Sequence, residues 1–262
     1  MQALAHLQQE LDQHGLVKVE GLVPPDAARA ARTRVRTLAE EHNVLSGGRW
    51  MASPSPFGYP KPFRTALNAL NHNPTVPELL GAPVQSLIED LMGEPVMPLH
   101  PRHQLLFTLP GQTNWHVPHD VWHLDMPRLG ENASPGLQAF TFLEDVEPCG
   151  GATLVVAGSH RLLNGDQALK SRQVKDKLRH EPFFQWLFDP RRATITDPAE
   201  AKGEVHGVEL QVVELCGKVG DVYLMDLRLL HTPSPNCSDS ARLMLTSRFP
   251  KPSAARMLAG AA

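Results

Sequence analysis

Along the first hundred residues the apolar positions fall mainly at helical spacing. From residue 104 onward they alternate or come in short runs bounded by glycine and proline. Leu4, Leu7 and Leu11 predict an amphipathic helix stopped at Gly15, and Leu16-Val17-Lys18-Val19-Glu20 alternates like a short half-buried strand. Pro24-Pro25 breaks that strand. Asp26 can cap a helix reaching about His42, with Val35 and Leu38 turned inward. Residues 46–62 are dense in Gly, Ser and Pro and read as an irregular loop, with Trp50, Phe57 and Tyr59 packed beneath it rather than reaching a substrate pocket. Short helices are expected over 75–80 and 84–92, the second ending at Gly93.

The strand-like runs then follow closely: 104–109, 121–125, 137–143, 153–156, 208–215, 221–230 and 241–249. So many short strands, with turns at Pro110-Gly111, Gly150-Gly151 and Gly158-Ser159-His160 and no regular helices between them, predict a mainly β fold with helical additions. A two-sheet sandwich of the jelly-roll kind fits best. We expect one domain over 1–262, with 1–100 a helical scaffold packed on the β body. Residues 164–204 interrupt the pattern as a charged, helix-prone insertion, a lid or an oligomer contact, with its main helix over 168–180. Its basic residues Lys170, Arg172, Lys175, Lys177 and Arg179 are most simply a solvated face; their functional alternative is attraction of an anionic substrate. The end of the chain from residue 254 is expected to fray.

Composition narrows the classes. Hydrophobic residues make up 42% and charged residues 20%, the balance of a soluble globular chain. A net charge of −3 argues against nucleic acid as a partner. No signal peptide or membrane span is visible at the N-terminus. Cys149, Cys216 and Cys237 are too few and too scattered for a disulfide framework or a paired-cysteine metal site, so a reducing, cytoplasmic setting is expected. Oligomeric state is unreadable.

The chemistry concentrates in Trp122-His123-Leu124-Asp125. A strand sends residues i and i+2 to one face, so His123 and Asp125 present an imidazole and a carboxylate side by side. The run from Gly220 ends in His231, which could complete a 2-His-1-carboxylate site of the kind that binds Fe(II) and leaves positions open. Arg242, eleven residues on, heads another strand and could hold a carboxylate co-substrate through two parallel hydrogen bonds.

These residues, with Gly150-Gly151-Ala152-Thr153-Leu154-Val155-Val156-Ala157-Gly158-Ser159-His160, Gly220-Asp221 and Pro235-Asn236-Cys237-Ser238, resemble the phytanoyl-CoA dioxygenase family. The opening from Gly15 to Pro24 is similar to the family's first strand and helix start, so the likeness spans most of the chain. It implies a cupin-like double-stranded β-helix with iron on His123, Asp125 and His231 and 2-oxoglutarate on Arg242. It also implies consumption of O2, with ascorbate as a supporting reductant. The implied reaction is hydroxylation of an unactivated C–H bond in a small-molecule substrate, releasing succinate and CO2; a lean toward an anionic substrate comes only from the basic residues of the insertion. Desaturation, epoxidation and ring closure share the same machinery.

Two positions bear on that likeness. Pro233 stands where the family often carries a small hydroxyl, with Thr232 and Ser234 on either side, and Phe140 aligns with an aromatic position beside the co-substrate. Related halogenases replace the carboxylate ligand, so Asp125 favours hydroxylation. Gln104 and Asn114 are candidate substrate contacts, His160 a structural turn residue, and Arg248 the partner of an ion pair. Two other functions stay in play: a non-catalytic metal-binding jelly roll, and a zinc-dependent hydrolase using His116, His119 and His123, the last two sharing a helix face.

Overall fold

The computed structural model describes the chain except residues 1, 54–57, 72–80, 100–103, 130–133, 166–167 and 262, and except the side chains of 2–3 and 257–261. Two antiparallel sheets face each other as a cupin-like jelly roll. The larger runs β1 (Leu16–Val19), β9 (Val222–Asp226), β5 (Gly136–Phe142), β11 (Arg242–Pro250), β4 (Gln104–Thr108). The smaller runs β10 (His231–Pro233), β6 (Thr153–Ala157), β8 (Val208–Glu214), β7 (Lys202–Val205). A two-stranded hairpin, β2 (Leu45–Ser46) with β3 (Arg49–Trp50), stands apart.

Alternation along each strand sorts the side chains into three layers. Leu137, Ala139, Leu224, Leu243 and Leu245 leave the outer face of the large sheet. They pack on helices α1 (Gln2–His14), α2 (Pro25–Glu41), α3 (Lys61–Leu70) and α4 (Ala82–Met92) through Leu11, Ala28, Val35, Phe63 and Ile88. Phe140, Phe142, Val155, Met225 and Met244 fill the space between the sheets. Leu154, Val156, Leu210 and Val212 leave the outer face of the small sheet and meet α5 (Ser171–Leu178) and α6 (Pro182–Leu187). β5 is buried over all seven residues, as a central strand covered on both faces must be. The basic face of α5 lies in solvent, Arg172 and Arg179 pairing with Asp176.

Several expectations change. The 46–62 stretch opens with the β2–β3 hairpin, turned over Gly47 and Gly48 at positive φ, a conformation glycine reaches without strain. α3 follows it; Phe63, Leu67 and Leu70 are its buried stripe, a helical spacing hidden by the surrounding prolines. Trp50 and Tyr59 pack edge-on against Phe107, as loop-covering aromatics should; Phe57 and the expected 75–80 helix lie outside the described residues. The insertion helix is shorter than 168–180, because Leu169 bridges to Arg128 and the Lys170 N–H is bound by the Gln173 side chain at the helix start. The chain end is helical, α7 (Pro252–Ala261), rather than frayed.

His160 is structural. Its Nε2 meets the Asp12 carbonyl at 3.3 Å, and a Cβ on Gly15 would fall 2.5 Å from its Nδ1. Gly15, at φ +71°, therefore ends α1 where only glycine fits against that ring. No helix among the described residues is long and apolar enough to cross a membrane.

Glu214, at the end of β8, is pushed up to about 7 by burial, which outweighs the stabilising hydrogen bond from the Cys149 N–H. Its folded pKa lies above the ordinary 4.5, so its contribution to stability is complete below about pH 4.5 and lost as pH rises through 7. Glu214→Gln keeps the acceptor. The melting temperature of E214Q relative to the parent should therefore rise between pH 5 and pH 8; a constant difference would place the Glu214 pKa at its ordinary value.

Candidate metal centre

Residues 121–125 do not form the expected strand. A single bridge joins His123 and His231, each N–H donating to the other's carbonyl at 2.9 and 3.0 Å. Alternation survives without a ladder because burial enforces it. Trp122, fully buried, donates its indole N–H to the Pro118 carbonyl at 2.9 Å, Leu124 packs in the same cluster, and the Leu124 N–H is held by the Ser171 hydroxyl. His123 and Asp125 are thereby turned the other way.

The run 221–230 is likewise not one strand. β9 ends at Asp226, whose carboxylate accepts from the Arg228 backbone N–H at 2.8 Å and its guanidinium at 2.9 Å, closing a buried turn. The Leu230 N–H then bonds the Ser159 hydroxyl, and His231 opens β10 in the other sheet. This crossing brings His231 opposite His123, their ring centroids 4.4 Å apart.

Asp125 Oδ1 lies 3.5 Å from His123 Nε2 and 3.6 Å from His231 Nε2. Among the described residues this is the group of His, Cys, Asp and Glu able to hold a metal ion, its ligand atoms all within 4.8 Å of one another. Each histidine commits its other nitrogen to a carbonyl two residues back: His123 Nδ1 to Val121 at 2.9 Å, His231 Nδ1 to Leu229 at 3.1 Å. A carbonyl only accepts, so both Nδ1 atoms carry the proton and both Nε2 lone pairs face the shared space. The outer oxygen of Asp125, Oδ2, accepts from Gln138 Nε2 at 2.7 Å and from Arg248 at 2.6 and 3.2 Å. Burial works to raise the Asp125 carboxyl, but the two neighbouring imidazoles and the Arg248 charge overcome it and hold it well below the usual carboxylate range. The His123 side chain is 41% exposed and that of His231 6%, so the group opens to solvent on the His123 side.

Arg242 is buried at the head of β11. Its guanidinium donates to the Thr108 hydroxyl at 2.8 Å and, across to the other sheet, to the Thr153 hydroxyl at 3.1 Å; its Nε has no partner. No carboxylate among the described residues pairs with it, and burial lowers it to about 10. Thr153 and Val155 stand two apart on β6, and Val155 pairs with His231, so Arg242 reaches a point about 7 Å along the strand from the histidine. Phe140 lies edge-on to the His231 ring at 6.4 Å between centroids.

Thr232 and Ser234 are spent on the carbonyls of Pro233 and Ala152; the hydroxyls on Arg242 are Thr108 and Thr153, which the sequence did not single out. Each sits at the end of a predicted strand, but only the register puts them on the arginine. Gln138 was missed for the same reason. Gln104 accepts from Arg248 at 3.4 Å, while Asn114 is exposed and bonded to the Thr113 hydroxyl. His116 and His119 lie in non-helical chain beside Asp189 and Arg192, so the helix face that would let His119 join His123 on zinc does not exist.

A model of the phytanoyl-CoA dioxygenase family matches residues 11–244. Solved structures with the same fold include AviO1 from Streptomyces viridochromogenes Tue57, at TM-score 0.59 and 21% identity over 95% of each chain. The epimerase SnoN, crystallised with Fe3+, alpha ketoglutarate and nogalamycin RO, gives 0.55 and 19% over 95% of this chain and 84% of its own. The alpha ketoglutarate dependent carbocyclase SnoK from nogalamycin biosynthesis gives 0.56 and 18% over 94% and 83%. A search of curated proteins finds no match.

Proposed function

This chain belongs to the phytanoyl-CoA dioxygenase family of iron- and 2-oxoglutarate-dependent oxygenases, and from that premise we propose that it hydroxylates an unactivated C–H bond of a small molecule. The observation that carries the proposal is the pairing of two half-sites across the jelly roll. On one side, two imidazole nitrogens and one carboxylate oxygen converge with their lone pairs free. On the other, a buried arginine has no acidic partner among the described residues and an orphaned Nε, a charge that a dicarboxylate would complement.

We assign His123, Asp125 and His231 as the iron ligands and Arg242 as the anchor for the distal carboxylate of 2-oxoglutarate. The donor set suits Fe(II), being two neutral nitrogens and one oxygen anion that leave positions open. Arg242 is anchored on Thr153, two strand positions and so about 7 Å along β6 from Val155, which lies opposite His231, a spacing that suits the length of a five-carbon diacid. Bound together, iron and 2-oxoglutarate supply the oxidising chemistry, in which O2 and the 2-oxo acid give succinate and CO2 and one oxygen atom passes to the substrate. The chain's own residues orient and exclude. Val121 and Leu229 carbonyls fix the imidazoles, Thr108 and Thr153 aim the guanidinium, and Phe140 with the apolar layer between the sheets keeps water from the interior face. The substrate enters on the exposed His123 side. Asp125 occupies the position a halide would need, which supports oxygen transfer over halogen transfer.

Anaerobic addition of 2-oxoglutarate to the Fe(II)-loaded protein should raise a visible charge-transfer band, and a panel of small acids under labelled dioxygen should reveal a substrate. Hydroxylation predicts one labelled atom in succinate and one in the alcohol. Succinate labelled beside an unlabelled, desaturated or ring-closed product would replace hydroxylation. Iron binding with no band would leave a non-catalytic metal protein.

A further inference from the structure

Resting on the ligand set just proposed, we infer that Arg248 and Gln138 form a clamp that restricts Asp125 to one-oxygen coordination. A free carboxylate can grip a metal with both oxygens, and doing so here would take one of the positions that a chelating 2-oxo acid and O2 require. Asp125 Oδ1 faces the histidines, whereas Oδ2 already accepts from three N–H donor atoms, Gln138 Nε2 at 2.7 Å and the Arg248 guanidinium at 2.6 and 3.2 Å. Its lone pairs are spent.

The clamp is built at a cost. Gln138 is almost wholly buried, and its second amide proton goes to the Thr246 hydroxyl at 2.9 Å, which leaves its Oε1 without any partner. Flipping the amide would set a carbonyl against a carboxylate, so the orphaned oxygen follows from having to present N–H toward Asp125. A buried acceptor left unmet is destabilising, so this contact serves something other than stability. Arg248 shares the inward face of β11 with Arg242, Met244 and Thr246 and pairs in register with Gln138 on β5, so the two reach Asp125 side by side from the same sheet. It lies beyond residues 11–244, the stretch matched by the family model. Both are positioning residues, since they act on the metal through Asp125. The guanidinium also draws charge from the carboxylate, weakening it as a donor and leaving the iron more electrophilic.

Co(II) serves as the probe, at saturating concentration so that metal affinity drops out. Arg248→Met and Gln138→Leu should each change the visible Co(II) ligand-field spectrum before any co-substrate is added, and weaken 2-oxoglutarate binding by about ten- to a hundredfold. Arg248→Lys, which restores charge but not the paired donors, should recover only part of that affinity. If both disruptive variants keep the parent's Co(II) spectrum and bind 2-oxoglutarate within about threefold of it, the contacts are a plain ion pair and amide bond and the clamp is wrong. Should one variant fail to fold, the other two still decide. If the parent protein itself takes up Co(II) but no 2-oxoglutarate, the proposed function fails and the clamp falls with it, an outcome distinct from a parent that binds and variants that match it.

Discussion

Asp125→Ala is expected to abolish succinate formation and to strip the protein of iron at the same time. The side-chain contacts that join the proposed metal centre pass through this residue: Oδ1 faces both imidazoles, and Oδ2 holds Gln138 and Arg248. Alanine removes the one anionic ligand and leaves two neutral nitrogens to hold a divalent cation, with a guanidinium now free to swing toward it. Loss of about a thousandfold or more in kcat is expected, because groups that act as a unit fail together. Metal stoichiometry after desalting checks the binding half and succinate release the catalytic half. Turnover near the parent's level would remove Asp125 from the ligand set.

Arg242→Met should move activity and stability in opposite directions. Two charge-assisted hydrogen bonds to a carboxylate are worth about 1.5–3 kcal/mol each, so the KM for 2-oxoglutarate should rise by roughly a hundredfold to ten-thousandfold, with kcat largely recovered at saturation. The same arginine is a buried cation with no acid among the described residues to neutralise it, held by two threonine hydroxyls and lowered to about 10 by its desolvation. A methionine of similar length removes that burden. The protein without co-substrate should melt a few degrees higher, at about 2–4 °C per kcal/mol for a chain of this size. Excess 2-oxoglutarate should narrow the gap by stabilising the parent, which binds it more tightly, more than the variant. An unchanged KM would reject the anchoring role; a large drop in melting temperature would mean that the threonine contacts outweigh desolvation.

The sequence was most informative where burial alone dictates direction. Trp122 and Leu124 drive themselves into an apolar cluster, so His123 and Asp125 had to face the other way whether or not a strand formed. For that reason the two side chains could be placed on one face even though residues 121–125 carry one bridge instead of a ladder. The jelly roll was legible from its short runs and glycine turns. What alternation cannot encode is which strand lies beside which. Thr108 and Thr153 meet Arg242 only because β4 pairs with β11 and β6 lies across the interior from it. Gln138 meets Asp125 for the same kind of reason. The run 221–230 misled because its apolar residues are continuous while its hydrogen bonds are not: Asp226 and Arg228 close a turn on each other, and the chain changes sheets in the middle of what reads as one strand. α3 was hidden by composition, since its Pro60-Lys61-Pro62 start resembles the loop before it although proline is well tolerated in a first helical turn.

The two histidines and the aspartate are steered by different kinds of matter. Each imidazole takes its orientation from a main-chain carbonyl two residues upstream, which persists whatever side chain that residue carries. The carboxylate takes its orientation from Gln138 and Arg248, two side chains that a point mutation can exchange. Descendants of such a chain could drift in electron demand at one corner of the triad while the other two corners stay fixed. Selection for a harder or softer oxidant would leave its trace at positions 138 and 248 before it touched a ligand.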